Sequence, residues 1–264
     1  MLFSKISYLH TLKELIIKSF YIYKPQFKDK IINSLIFTSL NVIVFGHIMP
    51  AAGLHDYGLF ILGSLAASSS FFATINNIVG LVADIVDEGS KLKYELTLPI
   101  PQWLIFFKYA LENMYQSFII SILVFPVGAM LIWTQISLQH FSFIKFYFAL
   151  AVSCFFFGNF SICMASITRD IYSGIENIWL RIIIPMWFLG CFQFSWQHLY
   201  NISPTCAYIN LLNPLTYALE ASRSAVLDPS LSLPYWLCIS ALFIFSAIFG
   251  LLGIAKLKKR LDCL

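Results

Sequence analysis

No glycine in this sequence is followed by a lysine, so the GxxxxGK[ST] loop that cradles phosphates is absent and the chain does not bind ATP by that mechanism. Nor is there an HExxH pair to hold zinc or a GxSxG turn to present a nucleophilic serine. The cysteines (Cys154, Cys163, Cys191, Cys206, Cys238 and Cys263) show no CxxC or other metal-ligand spacing. His47, His55, His140 and His198 match no ligand pattern either, so no metal site is expected. Charge is scarce: 11% of residues are Asp, Glu, Lys or Arg, against roughly 25% in soluble domains. A formal net charge of +4 spread this thinly gives no reason to expect a nucleic-acid partner.

What fills the chain instead is apolar. Of its 264 residues 59% are hydrophobic and 17% aromatic, and the mean hydropathy is +0.79. Apolar runs of about 20 residues recur, the length that crosses a hydrocarbon layer about 30 Å thick. An all-α membrane protein is expected, with six transmembrane helices at roughly 31–50, 59–83, 104–133, 143–167, 174–194 and 234–255.

Ahead of the first span, Leu9, Leu12, Leu15, Ile16, Phe20 and Tyr23 recur at helical spacing, with Lys5, Lys13, Glu14 and Lys18 largely off that stripe. Residues 1–30 therefore form an amphipathic interface segment, distinct from the six-helix domain at 31–264, and Pro25 is expected to end its helix. A soluble cap packed on its own protein is the alternative. This stretch has no unbroken apolar core and no small-residue cleavage site, so no signal peptide is expected to be removed.

The bases choose an orientation. Fourteen of the 17 lie before the first span, around the second and fourth loops or after the last span, leaving Lys145 and Arg223 on the other side and Arg181 inside the fifth span. By the positive-inside rule both termini are cytoplasmic. Residues 84–103 are then a long internal loop and 195–233 a long external one.

Those two loops carry most of the information. DIVDEGSKLKYELTLPIPQW offers Asp84, Asp87, Glu88, Lys91, Lys93, Tyr94 and Glu95 before two prolines, a short polar helix fixed between two spans and suited to be pushed by a partner. A solvated turn is the blander alternative. In NPLTYALEASRSAVL, Asn213 can cap a helix with Pro214 at its first position, which sets Glu220 and Arg223 at i and i+3 on one face.

Within the spans, Ser173, Asn177 and Arg181 follow at i+4 and Pro185 continues the stripe. A charge at mid-membrane depth costs about 2.5–3.5 kcal/mol on insertion scales, so Arg181 must face protein or water. Together with Asn76, Asn77 and Trp187 these residues are candidates for a translocation pathway or a dimer seam, the alternative being an interhelix hydrogen bond without substrate contact. Glu112, Asn113 and Gln116 are weaker candidates. GSLAASSS (63–70) is a small-residue stretch expected to pack helices closely. The aromatics around the fifth span, Trp179, Trp187, Phe188, Phe192, Phe194 and Trp196, fit an interfacial belt.

DEGSKLKYELTLPI resembles the stretch after the second helix in permease subunits of type-2 ATP-binding-cassette exporters. IPMWFLGCFQFSWQHLYNISPTCAYINLLNPLTYALEASRSAVL is similar to that family's fifth-helix end and external segment. The order of the two matches, with the six-span layout, extends the resemblance over nearly the whole chain. The usual basic residue after the acidic one is displaced to Lys91, and FSWQHLYNISPT stands where many relatives have a shorter Phe-Pro and Leu-Pro arrangement.

The resemblance implies a non-enzymatic transport subunit without cofactors of its own, working as a homodimer in a 2:2 complex with an ATPase that binds ATP and Mg. It implies a plasma-membrane location (the inner membrane, if bacterial), short re-entrant external helices before the last span, ATPase coupling through residues 84–95, and an external gate at Asn213, Pro214, Glu220 and Arg223. A lipid-linked glycan is the first expectation for cargo, a drug or lipid the second. The rival from another class is a polytopic membrane enzyme or haem protein using the outer histidines.

Overall fold

The computed structural model describes residues 2–51, 57–86, 91–133, 140–168, 172–228 and 232–261. Among them every regular element is helical and the chain is an all-α membrane protein. Among the described residues five helices are long and apolar enough to cross a membrane: His10–Ala51, Tyr57–Val86, Gln102–Leu131, Phe143–Ile167 and Tyr235–Arg260.

The first departs from expectation. Helix α1 (Leu2–Ile43) runs through Pro25 without a break and continues as a π-helical turn (Val44–Ile48) into α2 (Met49–Ala51). No interruption separates a surface segment from a first span. At 1.5 Å per residue, the 42 residues of α1 make a rod of about 63 Å, twice the hydrocarbon thickness. The exposed Pro25 removes one backbone donor, and the helix tolerates that loss.

Prolines explain other irregularities. Both π segments, Val44–Ile48 and Trp179–Ile183, are followed two residues later by a proline, Pro50 and Pro185, where the missing N–H loosens the preceding turn. Between α5 (Gln102–Ser121) and α6 (Val124–Leu131), Pro126 cannot bond the Ile122 carbonyl. The Tyr147 hydroxyl donates to that carbonyl instead, at 3.1 Å, so the break leaves no orphan acceptor in the apolar layer.

Helix α3 (Tyr57–Val86) and α7 (Phe143–Ile167) are the most buried long helices, and α1 and α13 (Tyr235–Leu261) the least. Phe71, Phe156, Phe157 and Phe160 form the aromatic centre between them, with Phe249 of α13 edge-on to Phe160. Gly158 permits the closest approach: a Cβ there would lie 2.3 Å from the Ala110 carbonyl oxygen of α5. Every residue of GSLAASSS is buried, and its serines serve packing: Ser69 pairs with Ser34 of α1 at 2.6 Å.

The expected fifth span is a shorter run of three pieces, α8 (Tyr172–Ile178), the π segment Trp179–Ile183 and α9 (Ile184–Leu189). Its length of about 27 Å falls just short of the hydrocarbon layer. It carries Glu176 and Arg181 and is not among the helices that qualify by length and hydropathy. Three short helices follow, α10 (Trp196–Ile202), α11 (Pro204–Asn210) and α12 (Pro214–Ser224), each opened by a side-chain cap from Ser195, Ser203 and Asn213. They lie at one end of α3; the six-residue α4 (Lys91–Leu96) lies at the other.

Candidate functional site

Asn213 caps α12 by accepting from the Leu215 N–H at 3.0 Å, with Pro214 at the first helical position. Its amide also donates to the Met186 carbonyl at 2.7 Å, and Asn210 donates to the Leu189 carbonyl. Two asparagines thus satisfy the last carbonyls of α9 while the chain turns back into α12. Every residue of α12 is buried, including Glu220 and Arg223, both 0% exposed.

Arg223 gathers separate parts of the chain. Its guanidinium donates to Glu220 Oε1 (3.1 Å), to Ser64 Oγ of α3 (3.1 Å), to the Phe60 carbonyl (3.4 Å), and to the carbonyls of Cys191, Phe192 and Phe194. It lies 3.9 Å from the centre of the Phe60 ring. Gly63 leaves room for it, its nearest neighbours being Arg223 atoms at 3.4–3.5 Å from a would-be Cβ. Burial pulls the guanidinium pKa down and the Glu220 carboxylate pulls it back up.

Glu220 spends both oxygens: Oε1 also accepts from the Trp196 N–H at 3.2 Å, starting α10, and Oε2 from the Leu233 N–H at 3.1 Å, leading into α13. The pair is a saturated internal clamp. The backbone at Cys191 takes a positive φ of 63°, strained for a residue with a Cβ, at the turn whose carbonyls face Arg223. Its thiol is buried and pushed up to about 12, first by burial. Cys191 and the exposed Cys206 are both free thiols.

Asn177 and Arg181 lie on an exposed face of the α8–α9 run, together with Leu180, Phe188 and Leu189. The side chain of Ser173, which would begin the stripe, lies outside the described residues, and the π turn displaces the simple i+4 register. Beside this face is a mostly apolar cavity of about 650 Å³, walled by Arg181, Pro185, Leu189, Ile209, Leu212 and Phe249 among others. Trp187 points away from it, its indole N–H donating to Ser68 at 3.1 Å and its ring packed on Phe72 and Phe192. Asn76 is exposed on α3, whereas Asn77 is buried and reaches Ser117 of α5 at 3.5 Å. Asn177, Arg181 and the asparagines of α3 thus do not converge on one point.

At the opposite end of α3, α4 presents two faces. Asp87 and Glu88 lie outside the described residues. Tyr94 is 58% exposed, Lys93 half-buried, and the Lys18 ammonium of α1 sits 5.3 Å from the Tyr94 ring.

Glu95, expected among the residues that couple to the ATPase, is turned inward and 0% exposed, because both its oxygens meet Lys108 Nζ of α5 at 2.8 Å. Lys108 also pairs with Glu112 at 2.8 Å, and Glu112 with Lys91 at 3.2 Å. Lys91 further donates to Ser19 of α1 at 3.0 Å, so it too faces inward. Its pKa is lowered by burial, with Glu112 acting against that shift. Asp84 is half-buried nearby. Sequence reasoning treated Lys108 as one more base flanking a loop; its place at i−4 from Glu112 was the available signal.

Long apolar helices around a buried aromatic centre, with capped short helices at one end and a helix locked by buried charges at the other, define a polytopic all-α membrane protein. The model of the ABC-2 type transporter family matches residues 12–227, and the chain belongs to that family. It is the membrane permease component of such a transporter, a class that transports and works with a separate ATPase. No curated protein matches the chain.

Proposed function

We propose that this permease pairs with a second copy of itself and with two copies of a separate ATPase that binds ATP and Mg, and that it exports an amphiphile. The distribution of bases supports cytoplasmic termini and a cytoplasmic α4, with α10 to α12 outside. ATP-driven closure of the ATPases would push on α4 and on the first half of α1.

The observation that carries the proposal is the uncovered face of residues 176–189. An arginine within an apolar segment needs protein or water opposite it, and one copy of the chain leaves Arg181 exposed. The apolar cavity beside it suits a hydrocarbon tail with a polar group held near Arg181. Ile32, Ile36, Leu40 and Ile43 form a second exposed stripe along α1, available to a partner copy or to lipid. A lipid-linked glycan fits an amphiphile of this kind; a lipid or drug of the same family's cargo is favoured instead if only the tail matters.

Purification of the tagged chain from its native membrane in mild detergent, followed by mass spectrometry, tests the assembly. The expected result is an ATPase in a 2:2 complex, lost in Tyr94→Ala, whose exposed ring gives up only the Lys18 contact, with thermal stability measured alongside. A chain isolated alone, carrying a chromophore or metal, would overturn the proposal and favour a membrane enzyme.

A further inference from the structure

Between α1, α3 and α5 lies a polar cavity of about 230 Å³, separate from the apolar one. We propose that it binds one neutral, polyhydroxylated ring, the sugar-like headgroup of an amphiphile; this rests on the exporter reading above.

Its wall is rich in amides. Asn113 donates to Ser161, Asn77 donates to Ser117, and Gln116 accepts from Lys30 Nζ at 3.2 Å. Each amide carries both donor and acceptor groups, and all three residues line the cavity, so the wall can offer either kind to a ligand. Tyr109 belongs to the same wall. Its ring is fixed by the Lys108 ammonium at 4.3 Å, the residue is only 4% exposed, and its hydroxyl has no hydrogen-bond partner among the described residues. A buried hydroxyl left unmatched is costly, and a ligand hydroxyl would satisfy it.

The charges argue for a neutral ligand. Lys30 and Asp84 both line the cavity, one of each sign. The neighbouring bases Lys91 and Lys108 are held by Glu112 and Glu95 in ion pairs of 2.8–3.2 Å. A phosphate, which is bound best by several charged donors, would meet Asp84 with one cation to offset it. The volume lies below the roughly 300–1,000 Å³ of drug-sized pockets, which suits a single ring. An adjoining cavity of about 220 Å³ shares Lys30 and Asn76 and offers Phe37, Phe72 and Ile120 to the apolar part of the ligand.

Gly80 gives the test its lever. It lines the cavity, and a Cβ added there meets nothing within 4 Å, so a larger side chain can enter the space without displacing protein. The full chain in nanodiscs would be titrated with octyl glucoside below its micellar concentration, with octyl phosphate and octanol as controls. Saturation transfer to the glucose ring protons is read by NMR, and octyl phosphate and octanol are scored as competitors that reduce that transfer.

Ring-proton transfer is expected for the wild type. Gly80→Leu should weaken binding about tenfold or more, and Tyr109→Phe by roughly two- to tenfold, the worth of one hydrogen bond. Both variants should unfold at or above the wild-type temperature. Glucoside binding unchanged by Gly80→Leu, tighter binding of octyl phosphate, equal binding of octanol, or no ring transfer at all, as for a cavity holding only water, would each overturn the proposal. The measurement needs no ATPase, so its failure leaves the 2:2 assembly to be judged on its own.

Discussion

Arg223 sits fully desolvated with its charge met by Glu220 and its remaining donors by hydroxyl and carbonyl oxygens. Removing one partner of a buried pair costs about 3–5 kcal/mol because the other charge is left uncompensated. Glu220→Ala is therefore expected to lower the unfolding temperature sharply in detergent, and Arg223→Lys to lower it too, since an ammonium cannot reproduce the guanidinium fork. A second residue-scale expectation concerns thiols. Among the described cysteines a polar maleimide should modify the exposed Cys206 and spare Cys191, which is buried and has its pKa pushed up to about 12; thiol counting in Cys206→Ser checks this. The sequence made the spacing of Glu220 and Arg223 legible, together with the Asn213 cap. Phe60, Ser64 and the carbonyls of residues 191–194 were not, because nothing local in a chain announces acceptors about 30 and 160 positions away.

At the scale of elements, the charge network joins α4, α5 and α1 into one unit. Lys108→Met leaves Glu95 and Glu112 facing each other's field without their shared cation. It should destabilise by about 3–5 kcal/mol, and Lys108→Met with Glu95→Leu should recover part of that loss; unfolding curves of the single and double variants decide it. The inward turn of Glu95 was hidden because α4 has six residues, too few for periodicity to reveal which face is buried. Pro25 misled for a different reason. A proline ends most helices and costs about 3 kcal/mol inside one, but residues of α1 on both sides of Pro25 (Leu15, Ser19, Phe27 and Ser34) are buried against the rest of the chain, and that packing holds the helix continuous. Pro25→Ala should accordingly raise the unfolding temperature if α1 is continuous and leave it unchanged if the helix breaks there.

For the whole molecule, composition and run length were enough to predict an all-α membrane protein, and five of the six expected spans have a qualifying helix. The remaining one, residues 172–189, is short, carries Glu176 and Arg181, and is widened by a π turn. Apolar counting is weakest where a segment's polar face is meant for something other than lipid. Removing the exposed Tyr94 ring should weaken ATPase capture with little loss of stability, whereas Glu95→Lys should unfold the chain before any partner is lost; thermal stability measured beside co-purification separates the two.

The clamp at Arg223 also bears on how the protein is made. Phe60, Ser64, Cys191, Phe192, Phe194 and Glu220 all precede Arg223 in the chain, so each of these acceptors has been synthesised before the arginine emerges. Among the described residues of the clamp, the Leu233 amide, which donates to Glu220, comes afterwards. A nascent chain can therefore seat this buried charge once it leaves the ribosome, and the last helix joins a clamp whose acceptors are already in place.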